Sequence, residues 1–121
     1  MLKAVIGGST LVIYADGSAD PSEYDSLRGI ISAHDKLKHF GSEIDTTINE
    51  YQRLFLAGAT TATVKVFQEI ADFTFSSEES NEIVAVLIDV AKANGRMDSE
   101  EEDVVRKIAQ RLNVDVSMFG L

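Results

Sequence analysis

The sequence predicts an all-α fold, a compact bundle of about six to seven helices. Three observations carry that expectation. Pro21 is the only proline in 121 residues. No segment alternates apolar and polar residues between hairpin-turn signals, as a half-buried strand would. Apolar residues instead recur at steps of three and four along nearly the whole chain. With 45% hydrophobic residues the composition is globular, and the length suits one domain, residues 1–121, with one core.

The elements follow in order. Residues 3–15 read as a first helix, weakened by Gly7 and Gly8 and ended by Gly17, where a left-handed cap is cheap. The second starts at Asp20 as N-cap. Pro21 suits the first helical position, and Glu23 sits where a capping-box acid belongs. Tyr24, Leu27, Ile30, Ile31 and His34 form its stripe, and Gly41 ends the region after a break near Asp35. Ser42 reads as the next N-cap, followed by Asp45, with Ile44, Ile48, Tyr51 and Phe55 facing inward. Gly58 and the Thr60-Thr61 pair mark a turn, and Val66, Phe67, Ile70 and Phe73 mark a fourth helix. Ser76 or Ser77 caps a fifth, with Glu79 close by. Its stretch 82–93 is so apolar that a central place is expected. Gly95 ends it, Asp98 opens the last long helix, and Val105, Ile108, Ala109 and Leu112 face inward from there. Phe119 pins a final turn to the core. Phe40, Tyr51, Phe73 and Phe75 fit either a core or a docking patch, which periodicity does not separate.

One phrase is written twice. Residues 15–25 and 93–103 both fit A-[DN]-G-x-x-D-x-x-E, at an offset of 78 residues. Each copy is a helix, a glycine stop, a tight turn, an acidic N-cap and a second helix, with residues 42–75 inserted between the two hairpins. Most of these acids serve as punctuation. Asp20 and Asp98 cap, Glu23 and Glu101 complete capping boxes, and their neighbours meet the positive end of a helix dipole. Asp16 fits that role poorly, because an anion at a helix C-terminus opposes the dipole. A nearby cation resolves the conflict. Asp16, Asp20 and Glu23 gather oxygen donors around one turn, and Asn94, Asp98 and Glu101 are their counterparts. Hard oxygen ligands suit Ca²⁺ or Mg²⁺ in preference to Zn²⁺. The spacing is not that of an EF-hand, so a shared site needs both hairpins face to face.

Charge and motif content exclude several classes. A net charge of −9 and a pI near 4.5 oppose nucleic-acid binding and favour a cation or a basic partner. The absence of cysteine removes disulfides and thiolate chemistry and is compatible with the cytoplasm. Residues 1–14 are apolar but too short to span a bilayer, so no direct membrane insertion is expected and the stretch is read as mature protein. Gly7-Gly8-Ser9-Thr10 lacks the Walker ending, and no nucleophile motif frames a serine. His34 and His39, five residues apart, share no helix face. Asp89 is expected to pair with Lys92 on an exposed stripe. No enzymatic activity is expected.

Four stretches resemble the TerB-like family of tellurite-resistance proteins. They are Val12-Ile13-Tyr14-Ala15-Asp16-Gly17 leading to Asp20 and Glu23, and Val90-Ala91-Lys92-Ala93-Asn94-Gly95 leading to Asp98 and Glu101. The others are Val105-Arg106-Lys107-Ile108-Ala109-Gln110-Arg111-Leu112 and the ending Met118-Phe119-Gly120-Leu121. The resemblance implies an all-helical fold and a cation-binding surface at the two turns, formed by Asp16, Asp20, Glu23, Asn94, Asp98 and Glu101. It implies a role in resistance to tellurium oxyanions and other stresses, with a protein partner embedded in a membrane and the chain on the cytoplasmic side of the inner membrane. Self-association is compatible with it. Two departures stand out. The chain carries no basic extension ahead of its first helix, and Asn94 replaces the usual aspartate, which weakens the second half-site. An accessory or phage origin is compatible with these departures. The competing expectation is a purely structural or interaction domain with no ion, in which the acids only cap helices.

Overall fold

The structure, a computed structural model, describes residues 1–16, 21–93 and 95–121. The expectations placed on Gly17, Asp20, Asn94 and the Asp16 side chain fall outside the described residues. Within them lie six α-helices, α1 (Leu2–Ile13), α2 (Pro21–Ala33), α3 (Ser42–Ala57), α4 (Ala59–Asp72), α5 (Ser77–Ala91) and α6 (Ser99–Arg111). Three short 3-10 turns cover Tyr14–Asp16, Lys38–Phe40 and Val116–Phe119, and no described residue is in a strand. The all-α expectation holds.

The middle of the bundle is α1. Apart from Lys3, every residue from Leu2 to Ile13 is buried, and the helix packs against α3, α4, α5 and α6. A helix surrounded on all sides must be acceptable to its neighbours all round. The two glycines that weaken it as a sequence pattern make this packing close. A β-carbon on Gly7 would lie 3.1 Å from Tyr51 Cε1, and one on Gly8 would lie 3.0 Å from Leu87 Cδ2. Removing those β-carbons lets α3 and α5 approach the α1 backbone. The buried Thr10 hydroxyl donates to the Ile6 carbonyl at 2.8 Å, so it needs no outside partner. The expected central helix, α5, is buried along Ile83, Val84, Val86, Leu87, Ile88 and Val90, and it packs on α1, α2 and α6. It shares the centre with α1.

Local chemistry sets the helix ends. Ser76 caps α5 by a reciprocal pair: its hydroxyl accepts from the Glu79 N–H at 3.1 Å, and its own N–H donates to Glu79 Oε1 at 3.0 Å. Ser42 is not the cap of α3. The chain turns at Gly41 with φ 56° and ψ −123°, a backbone region that favours glycine, and this moves the N-cap one residue earlier. Asp45 is spent elsewhere, accepting from Arg28 Nε at 2.6 Å and so tying α3 to α2. Tyr51, buried between α3 and α4, donates its hydroxyl to the Glu69 carboxylate at 2.8 Å. Burial, then that carboxylate, push the Tyr51 pKa well above its ordinary value.

The aromatic residues divide. Tyr51 is core, Phe40 and Phe75 are half-buried, and Phe73, just past the end of α4, is 59% exposed. Phe67 lies half-buried with the Arg111 guanidinium 5.3 Å from its ring centre. The final turn is capped by Asp115, which accepts from the Ser117 N–H at 3.0 Å, and Phe119 packs on the core as expected.

Overpacking at the α1 contacts should be costly. Gly7→Ala and Gly8→Ala are each expected to lower stability by about 1–3 kcal/mol, despite alanine's better helix propensity. Urea midpoints measure it, and an unchanged or raised midpoint would show that the contacts yield. A second expectation concerns pH. Hydrogen bonds from Ser76, its backbone N–H first, hold the Glu79 carboxyl below its ordinary 4.5. A group depressed in the folded state contributes fully above its unfolded pKa and loses that contribution as pH falls through the folded one. Melting temperature should therefore drop less steeply below about pH 4.5 in Glu79→Gln, which keeps the capping geometry but cannot titrate.

Candidate functional site

The two hairpins interlock. In α1–α2 and α5–α6 alike, the second helix packs on the first helix of the other copy: α2 on α5, and α6 on α1 and on the Tyr14–Asp16 turn. This arrangement draws the described parts of the two acidic phrases, the first turns of α2 and α6, to one recess. Glu23, in the first turn of α2, and Glu101, in the first turn of α6, line a common recess of about 60 Å³. Ile13, Val90 and Ala93 supply its apolar walls, and Ser22 and Ser26 its remaining polar edge. A recess of this size exceeds the roughly 10–15 Å³ needed to hold one water.

Of the six residues singled out from the sequence, Glu23 and Glu101 are thus brought together. Asp98 is close behind Glu101 as N-cap of α6. Its carboxylate accepts the Glu101 N–H at 2.9 Å, while Glu101 Oε1 accepts the Asp98 N–H at 3.0 Å. The capping box expected in the second copy is complete. Asp16 as a side chain, Asp20 and Asn94 lie outside the described residues, and among those described no cluster of three or more His, Cys, Asp or Glu gathers as a metal would require. The donor chemistry of the described half is two carboxylates lining one recess from different helices, which fits a hard cation with oxygen ligands.

Next to Glu23 in the chain, the Tyr24 ring is buried, with Tyr14 beside its hydroxyl. Burial first, and the neighbouring Tyr14 second, drive its pKa well above the ordinary value. Tyr14 in turn stacks on Phe55 at 5.1 Å, fixing the turn that follows α1.

A larger feature adjoins it, and sequence reasoning missed it. An open groove of about 640 Å³ runs between α2 and α5. Its α2 wall is Ser26, Gly29, Ile30 and Ala33; Asp89 and Ala93 face them from the other side. Ser26 and Ala93 belong to both the groove and the recess. His34 closes the far end, with Nε2 2.7 Å from a Glu82 oxygen and Nδ1 buried without a partner. Lys36 pairs with Glu78 and approaches Glu82 at 3.8 Å. Asp89 and Lys92, both exposed, form no ion pair, contrary to expectation: Asp89 lines the groove, and Lys92 does not. Two signals could have pointed here: the lone acid in the apolar run of α5, and a glycine inside α2.

No helix among the described residues is long and apolar enough to cross a membrane. No curated protein and no solved structure matches the chain. A family model does, that of tellurite resistance protein TerB, over residues 2–121. That span takes in both hairpins, the inserted α3–α4 pair and the final turn, and the all-helical architecture agrees with it. The chain belongs to the TerB family of tellurite-resistance proteins.

Proposed function

We propose that this TerB-family module is a non-enzymatic binding protein whose paired hairpin turns hold a divalent cation, Ca²⁺ or Mg²⁺, and present the resulting face to a protein partner. The observation that carries the reading is the meeting of Glu23 and Glu101 from separate hairpins at one recess. Carboxylates lining one small recess offer a hard cation oxygen ligands from both hairpins. Glu23 and Glu101 would supply ligands, with Asp98 fixing the Glu101 backbone. Asp16, Asp20 and Asn94 complete the set on this reading. The cation would supply charge neutralisation and order at the turns, with no reaction to catalyse. The family link is to tellurite resistance. The partner on this reading is embedded in the inner membrane, and the module sits on its cytoplasmic side.

A second reading has its own observation. The reciprocal hydrogen bonds of Asp98 and Glu101 are those of a complete helix cap, which needs no ion. The two readings separate cleanly because glutamine also serves at the third position of a capping box. Glu23→Gln with Glu101→Gln should therefore fold as the parent does. Calorimetric titration of metal-stripped parent protein with Ca²⁺ and Mg²⁺ should show saturable binding with a Kd of about 1 mM or tighter, weakened at least tenfold in the double variant. No heat in the parent up to millimolar ion leaves only the capping reading.

A further inference from the structure

We propose that a cavity at the N-terminal end of α1 binds a neutral aromatic ring carrying a hydrogen-bond donor, a phenol of the kind a tyrosine side chain presents. The cavity shares no lining residue with the acidic recess, so the site is independent of the cation reading.

Three phenylalanines give the first argument. Phe40 comes from the turn before α3, and Phe73 and Phe75 from the link between α4 and α5. All three line one cavity of about 210 Å³. Phe40 and Phe75 also pack on the core. Phe73 is 59% exposed, and its ring pairs with Phe75, 6.1 Å between centres and tilted by 38°. A single exposed phenylalanine is ordinary surface. Rings brought from two segments around one hollow suit a flat apolar body, because aromatic rings attract one another in offset and tilted arrangements beyond the area they bury.

Thr47 is a separate argument. It is 8% exposed and lines the same cavity, and its hydroxyl makes no hydrogen bond among the described residues. Thr10, Thr46 and Thr63 each donate to the carbonyl four residues earlier in their helices, so this hydroxyl is the exception among them. A buried hydroxyl without a partner is costly unless whatever fills the hollow satisfies it.

The remaining polar groups select the ligand. Glu43 and Glu69 line the cavity as acceptors. Glu69 already accepts the Tyr51 hydroxyl at 2.8 Å, and a carboxylate that has taken one such proton keeps acceptor capacity for another. Lys3 also lines the cavity and forms no ion pair among the described residues. Its ammonium opposes a cationic ligand, and the two carboxylates oppose an anionic one. An apolar ring with a neutral donor meets neither objection.

The test titrates the isotope-labelled full chain, in EDTA, with p-cresol. Amides of residues 2–4, 40–47 and 69–75 are expected to shift and saturate with a Kd of about 5 mM or tighter. Toluene, p-toluate and p-methylbenzylammonium are expected to bind at least about threefold more weakly. Thr47→Val keeps the side-chain shape. It is expected to leave the melting temperature equal or higher and to weaken p-cresol binding at least about threefold. Phe73→Ala, at an exposed position, is expected to keep the melting temperature and weaken binding as much. A peptide with one tyrosine between glycines separates the sources of the ring. If it shifts the same amides at lower concentration than p-cresol, the ring is a partner's tyrosine; if p-cresol alone binds, it is a free phenol, and either result supports the site. Equal binding of toluene, shifts centred elsewhere or without saturation, or full binding in both variants would overturn the proposal.

Discussion

The structure depends on how closely other helices approach the α1 backbone. Gly7 and Gly8 leave no side chain where Tyr51 and Leu87 press in, at distances a β-carbon would make tighter than normal packing. With α1 buried on every side, its C-terminal end emerges beside α6, and α5 is held against both. The interlocking of the two hairpins follows from that. If α1 stood further out, α6 could not reach the Tyr14–Asp16 turn, and Glu23 and Glu101 would have no reason to share a recess. The site is thus a consequence of core packing, although none of its carboxylates belongs to the core.

The acidic residues carry two roles that physical chemistry does not make exclusive. A capping carboxylate at a helix N-terminus satisfies backbone N–H groups and interacts favourably with the dipole. It also brings a partly desolvated oxygen to a fixed place, which is what a cation ligand must be. Asp98 and Glu101 form the complete box, and Glu101 also lines the recess that Glu23 lines. Capping therefore preorganises the site whether or not an ion occupies it.

The sequence made much of this fold legible, for identifiable reasons. Helix starts that depend on local side-chain chemistry were readable, as at Pro21, Ser76 and Asp98. The cap of α3 was not, because it depends on the backbone angle at Gly41 and not on the serine that follows. The rank of α1 was understated, since glycine, serine and threonine look like interruptions until the neighbours that need the space are known. Of the site, the repeat announced which residues to compare but not that Glu23 and Glu101 line one recess, which depends on α2 crossing to α5 and α6 to α1. The α2–α5 groove was invisible for the same reason: its walls come from two helices far apart in sequence, and Asp89 read alone suggested a surface ion pair.

The central claim is that the two turns act as one site. It is tested most directly by following backbone amides through a Ca²⁺ titration of metal-stripped protein, residue by residue. The account expects residues 22–24 and 98–102 to shift together with a single midpoint, because the carboxylates of both hairpins meet at one recess. Shifts at only one turn, different midpoints at the two, or no shift at either up to millimolar Ca²⁺ would contradict it.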